Sequence, residues 1–184
     1  MTNRLIALYS PAPSCGKSEI TKALALHGYK TIKLAGTLKD MLRVFLNHYG
    51  LDPKEVERHL EGDLKEYSLP ALTGITGRHL MQTLGTDWGR TCVAQDIWVR
   101  VAMGRITREL ERGGRVVVDD MRFSNEYDAM FELGARLVKV TRPGRKPTNG
   151  HPSEGLLDGH RFDVLVENEG SLEALYLKTV QLME

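Results

Sequence analysis

Short, unbroken apolar runs alternate along this chain with stretches whose apolar residues recur every three or four positions. The runs Leu5–Tyr9, Thr31–Leu34, Val116–Asp119, Leu137–Thr141 and Val164–Val166 read as strands. They lack an alternating polar face, so they belong in a parallel sheet covered on both sides. The helical period predicts helices at Lys17–His27, Thr37–Tyr49, Pro53–Leu60, Gly77–Leu84, Ile97–Arg112, Asn125–Leu133 and Ser171–Glu184. Gly113-Gly114 and Gly134 stand where helices close before strands. The fold class is therefore α/β, with a five-stranded, mostly parallel sheet between two helical layers. Two stretches break the pattern: residues 62–76, which carry turn signals, and residues 142–162, which are basic and rich in Gly and Pro. Loops of that length inside a compact domain are commonly functional.

Composition narrows the class of protein. A chain of 184 residues supports one domain, 1–184, with a real core. Hydrophobic residues make up 41% and charged residues 27%, as in globular proteins that live in water. No apolar run nears the ~20 residues needed to cross a bilayer, and the first residues lack a signal-peptide layout. The two cysteines, Cys15 and Cys92, form no disulfide framework, so a reducing cytoplasm is the expected location. A net charge of +1 and a pI near 7.8 fall short of a dedicated duplex-DNA binder. A small anionic substrate met by local arginines suits these values better.

The most informative segment is LIALYSPAPSCGKS at 5–18: a buried strand, a turn-rich loop, then Gly-Lys-Ser opening a helix. Triphosphate binding needs that order, because loop N–H groups and the positive helix end converge on phosphate oxygens. The segment looks like a Walker A loop in which Ser14, Cys15, Gly16, Lys17, Ser18 and Glu19 meet ATP. Lys17 reaches the β/γ-phosphates and the Ser18 hydroxyl ligates Mg2+. Pro11 departs from the motif by standing where its first Gly belongs. Cys15 has an ordinary reading too, as a small residue filling a turn. Arg115–Asp120, RVVVDD, is a second strand with an acidic end; Asp119 is the better partner for the metal, while Asp120 turns the chain.

Phosphoryl transfer asks mainly for positioning and positive charge. In Thr76–Arg90, Thr76 can cap a helix on which Arg78 and Gln82 stand four apart, on one face. A guanidinium and an amide there can take a phosphate and a base edge of an acceptor. Arg90 and Arg122 add further planar forks, and Trp98 or Tyr67 could stack on a base, although aromatics at such spacings are often core.

Taken together, these segments resemble the bacteriophage deoxynucleoside monophosphate kinase family. The resemblance is carried by GKS, by A-x-x-L-K at Ala35–Lys39, and by T-G-R-x-L-M-Q-x-L-G-T-D-x-G-R at Thr76–Arg90. D-I-W-V at Asp96–Val99, D-D-M-R-F-x-N-E at Asp119–Glu126, Arg142-Pro143 and H-P-S-E at His151–Glu154 extend it over nearly the whole chain. It implies a P-loop kinase fold with a lid near 142–162 and an acceptor region near 62–98. It implies transfer of the γ-phosphoryl of ATP, with magnesium, to a deoxynucleoside 5′-monophosphate. On that pattern Lys17, Asp119, Arg122 and Arg142 are catalytic, and Lys39, Arg78, Gln82, Arg90, Trp98 and Arg122 bind the acceptor. Asn168 and Gly170 lie in the loop expected at the adenine, and Arg142, Arg145 and Arg161 belong to the lid.

Other readings stay open on the residues alone. A related kinase chemistry would phosphorylate a hydroxymethylated pyrimidine already placed in DNA, with the basic 142–161 segment following the backbone. A nucleotide-dependent switch lacks an N-K-x-D guanine signature, and a small-metabolite kinase could use the same fold. The preferred base is not legible, and a homodimer is neither required nor excluded by the broad apolar face of Ile97–Arg112.

Overall fold

Leu5–Tyr9 is apolar and buried at every position, which makes β1 the central strand of the chain. The structure, a computed structural model, describes residues 3–70, 72–145 and 155–184. It divides into two compact units, one of Met1–Leu34 with Met103–Glu184 and the other of Ala35–Ala102, where a single domain was expected.

In the first unit, β1 pairs in parallel with β5 (Arg115–Val118) on one side and β6 (Arg136–Thr141) on the other. β2 (Tyr29–Thr31) adds outside β5 and β7 (Val164–Glu167) outside β6, giving the order β2-β5-β1-β6-β7. Every pairing is parallel. The main helices of this unit are α1 (Lys17–Leu26), α6 (Ser124–Glu132), α7 (Leu172–Gln181) and the later part of α5 (Ile97–Glu111). Ile6, Leu8, Ile20, Leu24, Val117, Val138 and Leu175 share one core, so α1 and α7 are held by the sheet's apolar strands. β2 lies about two residues before its predicted place. Its ladder with β5 runs from Tyr29↔Arg115 to Thr31↔Val117, after which the Leu34 N–H turns to the Asp120 carboxylate at 2.8 Å. Ile32 and Leu34 are buried as an exit from the strand, which explains the apolar signal there.

The second unit is built from α2 (Gly36–His48), α3 (Pro53–Leu60), the antiparallel pair β3 (Ser68–Leu69) and β4 (Leu72–Thr76), and α4 (Gly77–Gln82). α3 starts as its sequence dictates: Asp52 accepts from the Lys54 N–H at 2.8 Å, and Pro53 occupies the first helical position. The hairpin lies in the stretch expected as loop. α4 runs on into a π-helical segment, Thr83–Val93, that ends with Ala94 N–H donating to the Gly89 carbonyl five residues back. Leu42, Leu46, Leu51, Val56, Leu60 and Leu69 form a core of their own.

Gly89 shows why the π-helical segment needs glycine. A Cβ there would stand 2.5 Å from the Trp98 ring, which is buried against it while the indole N–H donates to the Gly85 carbonyl at 2.8 Å. Gly89→Ala should therefore destabilise the protein by about 1–3 kcal/mol through overpacking. Urea unfolding followed by tryptophan fluorescence is the measurement, since Trp98 and its neighbour Trp88, 6.2 Å away, report on that packing.

Candidate active site

A parallel sheet sends all its strand ends one way, so the turns after β1, β5, β6 and β7 gather at one edge. After β1 the chain passes through Pro11, on a trans peptide, and bends into α1. Ser14 at φ 59° and Gly16 at φ 108° supply the left-handed turns that curl a backbone around an anion. A side chain at Gly16 is excluded on two counts. Its φ disfavours any Cβ, and a Cβ would lie 2.5 Å from the amide nitrogen of Asn168. Asn168, expected near the adenine, donates that amide to the Cys15 carbonyl at 3.0 Å and so ties the turn after β7 to the loop. The Cys15 side chain is buried in the core, leaving its backbone as the part a ligand can meet. α1 has no side-chain cap; the Glu19 N–H turns back to the Gly16 carbonyl at 3.0 Å, and the Lys17 and Ser18 N–H groups at its start remain for an outside acceptor. Ser18 is exposed on that turn, while Glu19 pairs with Lys22 at 2.7 Å. Gly170 is exposed just before Ser171, which caps α7.

The Lys17 ammonium donates to the Ser10 hydroxyl, which donates onward to the Ala12 carbonyl at 2.9 Å. Burial disfavours the lysine charge and the Arg122 guanidinium adds repulsion, so its pKa is lowered despite the carboxylates of Asp119 and Asp120. A polyanion entering here would restore the favoured charge. Asp119 has the opposite need. Its Oδ1 is buried with no hydrogen-bond partner. Its Oδ2 lies 3.4 Å from the Thr21 hydroxyl, whose one proton already serves the Lys17 carbonyl at 3.0 Å. Ser10, Pro11, Lys17, Asp119, Asp120 and Arg122 are among the residues lining a cleft of about 110 Å³. An unmet carboxylate oxygen and a nearby serine hydroxyl suit Mg2+, which takes few protein ligands and keeps water and phosphate oxygens. Among the described residues no group of three or more His, Cys, Asp or Glu could hold a metal alone.

Arg122 is exposed, and the block around it is organised by Glu126, whose buried carboxylate accepts from the Arg122 N–H at 2.7 Å and the Phe123 N–H at 3.1 Å. Arg142 and Arg145 sit on an exposed turn after β6, closed by a 3.1 Å hydrogen bond between their backbones. The segment expected as a lid, 142–162, is described only in part. Residues 146–154, with the H-P-S-E motif, lie outside the described residues. Residues from 155 onward are anchored: Leu157 is fully buried, Phe162 stacks on Tyr9 at 5.5 Å, and the Arg161 carbonyl accepts from the Tyr127 hydroxyl. Asp158 accepts from the Tyr9 hydroxyl at 3.1 Å and pairs with Lys139 at 2.8 Å. The side chain of Arg161 nonetheless belongs to an exposed residue.

The second unit holds the predicted acceptor residues other than Arg122. Thr76 caps α4, accepting from the His79 N–H at 3.1 Å, and Arg78 and Gln82 follow on exposed positions one helical turn apart. Arg78 pairs through Nε with Glu66. Lys39, with 15% of its side chain exposed, is engaged by Glu61 at 2.7 Å. Arg90 is half-buried. Trp98 departs from its expected role at a base: its ring packs on Gly89 and its N–H is committed to Gly85, so it serves the core of this unit. Ser10, Thr21 and Glu66 went unseen in the sequence. Only Thr21 left a trace there, four residues after Lys17 and so on the same face of α1.

With this geometry in place, comparison with known proteins is direct. Residues 54–179 match the family described as deoxynucleotide monophosphate kinase, a span that includes the Thr76–Arg90 and Asp119–Glu126 blocks. A deoxynucleotide monophosphate kinase of Enterobacteria phage T4 is 34% identical over 102 residues, 55% of this chain and 42% of the relative. One from Escherichia phage RB69 is 32% identical over 107 residues, covering 58% and 44%. A protein of Acanthamoeba polyphaga mimivirus, given that name provisionally, is 36% identical over 126 residues, covering 60% and 63%. The chain thus spans from under half to just under two thirds of these relatives' lengths. With well over half of its residues matched, the chain belongs to the deoxynucleotide monophosphate kinase family.

Proposed function

We propose that this protein moves the γ-phosphoryl of ATP to a deoxynucleoside 5′-monophosphate, giving the diphosphate. One observation carries the reading: a half-buried lysine with a lowered pKa and a buried, unpartnered carboxylate oxygen flank the same cleft. A polyphosphate with its divalent cation satisfies both needs at once. The family and its relatives' names supply the acceptor class.

Each residue then has a physical task. The backbone of 14–18 and the Lys17 ammonium hold the β- and γ-phosphates, and the Asn168–Gly170 turn braces the loop on the nucleoside side. Ser18 and Asp119 would hold Mg2+, which neutralises charge on the phosphates when bound. On the second unit, the Arg78 guanidinium takes the acceptor phosphate and the Gln82 amide a base edge, with Arg90 and Lys39 adding positive charge. Arg122 and Arg142 stabilise the transferring group. The acceptor phosphate is nucleophilic at neutral pH, so alignment and charge neutralisation suffice without a general base. Phosphorylation of a modified base in DNA is not favoured, because the relatives are named for monophosphates and the net charge is only +1. No helix among the described residues is long and apolar enough to cross a membrane, and both cysteines are free, in keeping with work in a cytoplasm.

A panel of deoxynucleoside monophosphates with ATP and Mg2+ tests the activity directly, with the diphosphate as the expected product. Lys17→Met should lower turnover by roughly three orders of magnitude, since it removes the main positive charge at the transferring group. Arg78→Ala should raise the acceptor KM about tenfold and leave the ATP KM unchanged. Lys17→Met also has a stability signature. Burial lowers the pKa of Lys17, so the folded chain binds that proton less tightly than the unfolded one. The penalty is complete below the lowered value and fades as pH rises from there to the ordinary 10.5. Without nucleotide, Lys17→Met should therefore raise Tm at pH 7, by a margin that shrinks as pH approaches 10.5, as read by circular dichroism.

A further inference from the structure

Arginines of the second unit are held by carboxylates in two different ways. Arg58 offers both Nε and Nη2 to Asp63, at 3.0 and 2.7 Å. Arg43 gives Nε and Nη2 to Glu57 and Nη1 to Asp40 at 2.9 Å. These are planar forks whose hydrogen-bonding edges are filled. Arg78 differs from these two, because Glu66 takes its Nε alone, as Asp96 takes that of Arg100 at 2.8 Å, and neither terminal amino group of Arg78 bonds to a described residue.

The contact is also built into the backbone. The Arg78 N–H donates to the Lys65 carbonyl at 3.0 Å, and the Tyr67 N–H closes a turn onto the Leu64 carbonyl at 3.0 Å. Ser68 pairs with Thr76 in the hairpin. The start of α4 is fixed from below as well, since a Cβ on Gly77 would stand 2.1 Å from the His59 carbonyl oxygen. Glu66 and Arg78 are therefore neighbours through main-chain bonds, whatever their side chains do.

The geometry points to Glu66 as a positioning residue for Arg78: its carboxylate grips the Nε edge and leaves both terminal amino groups for the acceptor's 5′-phosphate. This inference rests on the acceptor reading given above. A long exposed arginine loses rotamer freedom when it binds, and a carboxylate that has already fixed one edge removes part of that loss. Glu66 acts in two opposing ways. Its grip aids binding, while its negative charge repels the phosphate. Glu66→Gln keeps an acceptor oxygen and drops the charge, whereas Glu66→Ala drops both.

Steady-state kinetics on the full chain separate the two effects. Glu66→Ala should raise the acceptor KM about three- to tenfold, with kcat and the ATP KM near wild type, and should add nothing in an Arg78→Ala background. Glu66→Gln should return the acceptor KM to the wild-type value or below it. A fall in KM for Glu66→Ala would make Glu66 a mere competitor and overturn the proposal. So would an equal effect with Arg78 already absent. An unchanged KM in Glu66→Ala, beside a raised one in Arg78→Ala, overturns the grip alone. An unchanged acceptor KM in Arg78→Ala overturns the grip and the acceptor reading together.

Discussion

The pairing of β1 with β5, from Leu5↔Val116 to Ala7↔Val118, is the contact on which the rest of the candidate site depends. Both strands are buried, and both release their first polar residue at the same end of the sheet. That register sets the Ser10–Gly16 loop beside Asp119. A slip of one residue would move Asp119 by about 3.3 Å along the strand and turn its side chain to the other face. The cleft between Lys17 and Asp119 is thus a by-product of packing valines and isoleucines, held in place by nonpolar contacts that never meet a ligand.

The Lys17–Asp119 cleft of the first unit and the cations of the second treat charge in opposite ways. In the cleft, Lys17 is half-buried with only a hydroxyl to bond, and one oxygen of Asp119 is buried with nothing. Such groups carry a standing cost in the empty protein. In the second, Lys39, Arg43, Arg58 and Arg78 are each met by a carboxylate. A ligand at Lys17 and Asp119 would supply missing partners, whereas one at Arg78 would have to replace or share an existing one. The more exposed of these pairs, Arg58–Asp63 and Arg78–Glu66, contribute little to stability and exchange readily.

Legibility in the sequence followed the range of the interaction. β1, α1 and α3 were readable because local patterns dictate them: an apolar run, Gly-Lys-Ser, and the Asp52-Pro53 start. β2 was displaced because burial of Ile32 and Leu34 looks like strand, while the ladder is set by where β5 lies. The hairpin at Ser68–Thr76 hid among Pro70 and Gly74, and the π-helical segment runs past the predicted helix end at Leu84 through Gly85 and Gly89, which read as breakers. Lys17 and Asp119 announced themselves by residue type and neighbours. Ser10 as the lysine's partner, Asn168 as a brace on Cys15 and Glu66 beside Arg78 did not, because their meaning lies in contacts across space.

The Asn168 brace has a consequence for how the protein is made. The amide that secures the phosphate loop comes from 153 positions further along the chain, and Leu175 of α7 lies 3.3 Å from where a Gly16 Cβ would be. Gly-Lys-Ser is synthesised well before Asn168 and lacks this brace until β7 and α7 have followed. The bracing of this loop is therefore a late-maturing property of the nascent polypeptide, and fragments truncated before Asn168 would carry Gly-Lys-Ser without its scaffold.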